Sequence, residues 1–158
     1  MTDNENQERI LSILKKKKLK IATAESCTGG LIAHILTNIS GSSDYFDRGV
    51  VSYSNKSKTE LLGVPEKLID KYGAVSNPVA KAMAEGARKK SNVDIGIATT
   101  GIAGPTGGTV EKPVGLVYIA VSNLDRTIIK KFNFKGNRIE NKYQSCNASL
   151  EMLHNLIS

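Results

Sequence analysis

Hydrophobic positions recur along this chain in two rhythms. Steps of three and four mark amphipathic helices, and short unbroken apolar runs mark buried strands. The first rhythm opens the chain, where Ile10, Ile13 and Leu14 predict a helix over residues 5–18. An apolar run then predicts a strand over 19–24, and a second helix follows over 30–37. Turn chemistry at Ser40-Gly41-Ser42-Ser43-Asp44 separates these from a β-rich stretch at 49–53, GVVSY. Asn55 is expected to cap a short helix through Leu62, and 65–72 to form another, closed by Gly73. Asn77-Pro78 reads as a cap followed by Pro at the first helical position, with the helix running to about residue 90.

A buried strand is predicted over 93–100, then a glycine- and proline-rich loop over 101–113. Strands over 114–122 and 126–134, joined tightly at Asn123-Leu124-Asp125, predict an antiparallel pair. The last helix shows the plainest period: Ile139, Tyr143, Cys146, Leu150, Leu153 and Ile157 are expected to line one apolar face. Five strands partly alternating with helices predict a three-layer α/β/α sandwich on a mixed, mostly parallel sheet. No repeat or linker divides residues 1–158, so a single domain is expected. In such sheets ligands sit beyond the carboxyl ends of strands. The turn after the strand at 19–24 and the loop after the strand at 93–100 both qualify.

Composition changes this picture little. Aromatics are 5% of the chain and Trp is absent, so the core must be aliphatic. No apolar run is long enough to span a bilayer, and the N-terminus is acidic and polar rather than signal-like. Cys27 and Cys146 form no metal or redox spacing and are expected to be free thiols in a cytoplasmic protein. The net charge of +7 and the run Lys15 to Lys18 suggest nucleic acid, but cations also suit a helix C-terminus. A positive field equally speeds capture of a small anionic substrate.

The candidate chemistry centres on IATAESCTGGLIA, residues 21–33. Glycines after a short polar turn allow close approach to the main chain, and a following helix would aim its free N–H groups at the turn. A hydroxyl there faces a site for negative charge, so Ser26 is a candidate nucleophile, with Cys27 its rival and helix capping the plainer alternative. A Walker loop and a dinucleotide fingerprint are missing. His34 would lie two turns beyond Ser26, and with His154 the only other histidine, neither a Ser-His-Asp triad nor a histidine metal site is expected. Lys58 and Tyr53, in YSNKSK, are the candidates to complete a serine–lysine arrangement. Lysine is ordinarily protonated at neutral pH, so burial must lower its pKa before it can act as a base.

Three segments, TAESCTGGLIA at 23–33, GVVSYSNKSK at 49–58 and TTGIAGPTGGTVEKPVGLVYIAV at 99–121, together resemble the CinA C-terminal domain family, the nicotinamide-nucleotide amidases. The resemblance runs from about residue 7 to the last helix. It implies hydrolysis of the carboxamide of nicotinamide mononucleotide to nicotinate mononucleotide and ammonia, in pyridine nucleotide recycling, with no cofactor or metal. The family serine, tyrosine and lysine match Ser26, Tyr53 and Lys58. Backbone N–H groups near Thr28, Gly29 and Gly30 would stabilise the oxyanion, and the loop containing Thr100, Gly101 and Gly104 would hold the ribose phosphate.

Larger family members carry an N-terminal domain related to molybdopterin-binding proteins, so this sequence resembles the stand-alone deamidase. The chain departs from the family in reading Gly136-Asn137-Arg138, then Lys142, where Gly-Asp-Arg and a second arginine are usual. That puts the phosphate contacts in doubt. A catalytically silent nucleotide-binding module and a competence-related nucleic-acid partner are the alternative readings, and the oligomeric state stays open.

Overall fold

The computed structural model describes residues 3–158. Its helices are α1 (Asp3–Lys17), α2 (Leu31–Leu36), α3 (Asn55–Leu62), α4 (Glu66–Tyr72), α5 (Asn77–Ser91) and α6 (Arg138–Ile157). Its strands are β1 (Ile21–Glu25), β2 (Phe46–Val51), β3 (Ile95–Gly101), β4 (Leu116–Ser122) and β5 (Thr127–Asn133). They form one sheet in the order β2-β1-β3-β4-β5. β2, β1 and β3 run parallel, whereas β4 is antiparallel to both β3 and β5. Four strands therefore share one direction and only β4 opposes them, a mixed, mostly parallel sheet inside an α/β sandwich.

The inner strands are buried on both faces, and their side chains alternate in size. Ile21, Ile95, Ile97, Val117, Ile119 and Val121 face the layer of α1, α2 and α6. Ala22, Ala24, Ala98 and Ala120 face the layer of α3, α4 and α5. The small residues let α5 lie close to the sheet: a Cβ added at Gly96 would stand 2.1 Å from the Ala84 carbonyl oxygen. Large residues on the other face fill a deeper layer, so the same alternation sets two different helix–sheet spacings.

Several boundaries move. β2 begins at Phe46, three residues before the expected start, and ends at Val51. It lies at the sheet edge and exposes Asp47 and Arg48, so its polar half carries no apolar signal. Ser54, not Asn55, caps α3, accepting from the Ser57 amide. Ser76 holds the cap position of α5, and Asn77 makes no side-chain cap there. In α6 the first expected apolar positions are exposed, Ile139 by 59% and Tyr143 by 53%. Asn141, Ser145 and Ser149 are buried in their place. The two serine hydroxyls donate to the carbonyls of Asn141 and Ser145, which satisfies them without leaving the helix.

Candidate active site

The site forms where β1 ends. Ser26 follows the strand directly, and its amide donates to the Thr99 carbonyl at 3.0 Å, extending the β1–β3 ladder by one bond. The chain then turns: Gly29 has φ +61 and Gly30 φ +100, angles that favour glycine. α2 begins only at Leu31.

Ser26 and Lys58 come together here. Lys58 lies in the second turn of α3, a helix held by its Ser54 cap, and its side chain runs inward rather than to solvent. It is 1% exposed, and Nζ stands 3.1 Å from Ser26 Oγ. Nζ also donates to the Ser52 carbonyl at 2.9 Å and the Tyr53 carbonyl at 3.4 Å. With two carbonyls taking N–H groups, a neutral amine has its lone pair left for the serine hydroxyl. Burial lowers the Lys58 pKa, because the charged form loses its hydration. A Cys27 thiolate would act in the opposite sense, but burial pushes that thiol up to about 12, so at neutral pH it carries no charge. Cys27 packs in the core beside α2 and α6, and is a poor nucleophile there.

The expected oxyanion donors are altered. The Gly29 amide is already bonded to the Ser26 carbonyl at 3.1 Å. The first amides of α2 do not aim at open space either. Ile32 and Ala33 donate to the two carboxylate oxygens of Glu25, at 2.8 and 3.0 Å. The Thr28 hydroxyl donates to the same carboxylate at 2.6 Å and lies 2.8 Å from Thr99 Oγ1. So the Thr28 side chain braces the turn, and the amides of Thr28 and Gly30 remain as candidate donors. Glu25 escaped the sequence reading because it caps amides seven and eight residues ahead, beyond the short reach of ordinary capping rules.

Tyr53 stands apart from the lysine. Its ring is 60% exposed, and its phenol oxygen accepts from Arg138 Nη2 at 2.9 Å, so only its backbone touches Lys58. Arg138 Nη1 also donates to the Gly104 carbonyl at 2.7 Å, tying the glycine loop to the first turn of α6. Asn141 strengthens that tie through the Ala103 carbonyl at 3.0 Å. Thr100 turns its hydroxyl to the Ala74 carbonyl at 2.8 Å, and Gly101 closes β3 with no room for a side chain against Leu116 and Val117. These two shape the loop's start rather than presenting polar groups to the serine. Lys142 Nζ lies 3.6 Å from where a Cβ on Gly29 would be, placing a cation over the turn. A hollow of about 520 Å³ opens beside Arg138, between the loop and α6, lined by Ala103, Pro105, Val114 and Ile139 among others.

Both histidines are remote from this pair: His34 is exposed on α2, and His154 bonds the C-terminal Ser158. Among the described residues no group of three His, Cys, Asp or Glu side chains is arranged to hold a metal ion. No described helix is long and apolar enough to cross a membrane.

Comparison with known proteins matches this chain to a family. The model of the CinA C-terminal domain fits residues 3–157. A CinA-like protein of Syntrophus aciditrophicus (strain SB) is 51% identical over 153 residues, covering 96% of this chain and 36% of its own length. A putative competence-damage inducible protein of Caldicellulosiruptor bescii is 48% identical over 151 residues, covering 96% of this chain and 37% of its own length. The chain thus spans little more than a third of these curated relatives. Among solved structures, the competence/damage inducible protein CihA from Agrobacterium tumefaciens superposes with a TM-score of 0.95 at 42% identity, covering 98% of this chain and 94% of that one. A CinA superfamily protein from Klebsiella pneumoniae gives a TM-score of 0.95 at 28% identity, covering 99% and 98%. By sequence over nearly its whole length and by fold, this chain belongs to the CinA C-terminal domain family.

Proposed function

We propose that this chain is an amidase that hydrolyses the carboxamide of nicotinamide mononucleotide, with Ser26 as nucleophile and Lys58 as general base. The observation that carries the chemistry is the buried Lys58 amine 3.1 Å from the Ser26 hydroxyl. The substrate comes from the family resemblance.

In the first step Lys58 Nζ takes the Ser26 proton while Oγ bonds to the carboxamide carbon, and the carbonyl π pair moves to oxygen. Amides of Thr28 and Gly30 donate to that oxyanion; a single donor of this kind is worth about 2.7–4 kcal/mol in the transition state. Lys58 then returns the proton to the amide nitrogen, the C–N bond breaks, and ammonia leaves with an acyl-serine behind. A water gives its proton to Lys58 and attacks the acyl carbon. Collapse releases nicotinate mononucleotide, and Ser26 regains its proton from Lys58. Arg138, in the wall of the hollow, and Lys142, over the Gly29 turn, supply positive charge for the phosphate, with lysine offering a point charge in place of an arginine fork. Tyr53 serves to hold Arg138 and, through its carbonyl, Lys58.

Ammonia release from nicotinamide mononucleotide by wild type and Ser26→Ala tests this reading. Turnover that vanishes in the variant supports it; equal turnover removes Ser26. Tight nucleotide binding with no turnover in wild type would favour a silent binding module instead.

A further inference from the structure

Glu25 is 1% exposed, the last residue of a central strand, and no lysine, arginine or histidine pairs with it among the described residues. Burying a carboxylate so deeply is costly unless donors surround it. The donors are specific. Oε1 accepts from the Thr28 hydroxyl and the Ile32 amide, and Oε2 from the Ala33 amide. Since Thr28 spends its only proton on Glu25, the contact with Thr99 must be a donation from Thr99 to Thr28. Thr99 in turn accepts the Ser26 amide through its carbonyl. The side chain thus clamps the turn that carries Ser26 against both α2 and β3.

The backbone of the same residue holds the base. The Glu25 carbonyl accepts the Ser52 amide at 2.9 Å, and the Ser52 carbonyl accepts Lys58 Nζ at 2.9 Å. Glu25 is therefore bonded directly to Ser26 in the chain and reaches Lys58 through two hydrogen bonds by way of Ser52.

We propose that Glu25 is a positioning residue for hydrolysis, its carboxylate fixing the Ser26 turn in register with the Lys58 amine. The inference rests on the reading of Ser26 as nucleophile and Lys58 as base. Glutamine cannot replace Glu25. It keeps the shape but puts an N–H₂ on one end, and whichever end that is meets the N–H of Ile32 or of Ala33. Glu25→Gln loosens the turn while Ser26 and Lys58 are both still present.

The test reads Ser26 directly, independent of nucleotide. Wild type, Glu25→Gln and Ser26→Ala are treated with a fluorophosphonate, and modification of Ser26 is followed by mass spectrometry. Thermal melts and circular dichroism report folding, and ammonia assays give kcat and KM. A folded Glu25→Gln is expected to be modified at least tenfold more slowly, with kcat down by a similar factor, KM within about threefold, and an unchanged pH midpoint. Modification at the wild-type rate in the folded variant overturns the role. Should Glu25→Gln not fold, Thr28→Val removes the hydroxyl through which Glu25 holds the turn and which accepts from Thr99, and leaves the carboxylate in place; slower modification there supports the clamp, and an unchanged rate overturns it. A wild type that is modified at Ser26 but does not hydrolyse nicotinamide mononucleotide sinks the substrate and leaves the clamp to the same comparison. A wild type never modified at Ser26 overturns both.

Discussion

Lys58 Nζ and Ser26 Oγ stand 3.1 Å apart, although 32 residues and a sheet edge separate them in the chain. The lysine reaches the serine because α3 starts immediately beyond the carboxyl end of β2, beside the end of β1. If the amine is the base, its replacement has a defined signature. Lys58→Ala should lower kcat for ammonia release by about 10²–10⁴-fold, the usual worth of a general base. Lys58→Arg should do no better, because guanidinium does not give up its proton. An arginine variant with near wild-type kcat, in a steady-state ammonia assay, would remove proton abstraction by Lys58.

The same burial predicts a pH dependence. With Lys58 as the proposed base, activity requires the free amine, so kcat/KM should rise with pH through a midpoint below the ordinary lysine value of about 10.4. Stability follows from linkage. Between the lowered folded pKa and the unfolded value, the unfolded chain binds more protons, so stability should rise with pH across that window. Below the window Lys58 is protonated in both states, and the cost of holding its charged form in the buried site is constant at its maximum. Denaturant midpoints measured across this range, for wild type and Lys58→Ala, check the sign: the rise should shrink in the variant.

Cys27 offers a separate check on which neighbour is the nucleophile. With a pKa pushed up to about 12, only about one thiol in ten thousand is ionised at pH 8. Iodoacetamide should therefore modify Cys27 slowly in the folded protein and leave ammonia release unchanged. Cys27→Ala should keep kcat within about threefold and lose roughly 1 kcal/mol of stability, on the scale of one buried methylene-sized group. Loss of activity on brief thiol modification would transfer the nucleophile's role to Cys27.

Gly86 tests how the helix layer positions Lys58. A Cβ there would stand 2.0 Å from the Leu62 carbonyl oxygen, at the end of the helix that bears Lys58. Backbone yields less readily than a side chain, so Gly86→Ala should cost about 1–3 kcal/mol of stability from overpacking. Because α3 must shift to make room, kcat should fall as well. A variant as stable and as active as wild type in urea titration and ammonia assays would show that α3 and α5 do not need this approach.

Much of this protein was legible in its pattern of apolar positions. The order of helices and strands, the antiparallel β4–β5 pair and the sandwich class follow from periodicity, because helix and strand bury one side in different rhythms. The motif residues Ser26 and Lys58 could be nominated from local chemistry, and the family resemblance named the same positions. What periodicity misplaced was the start of α6, where Ile139 and Tyr143 continue the apolar spacing yet face solvent. Buried Asn141 meets the Ala103 carbonyl and the Gly136 amide instead, a need that arises only once the glycine loop is packed against the helix.

The tertiary structure alone decided three further matters. It turned Glu25 into the cap of α2, so the Ile32 and Ala33 amides at the start of that helix are already bonded and do not await an anion. It sent the Tyr53 phenol to Arg138 rather than to Lys58. And it buried the Lys58 amine among carbonyls next to Ser26, where loss of hydration favours the free base. The reason is common to all three. A chain's rhythm records which residues leave water, whereas the direction of a buried polar group is set by whichever donors and acceptors distant segments bring beside it.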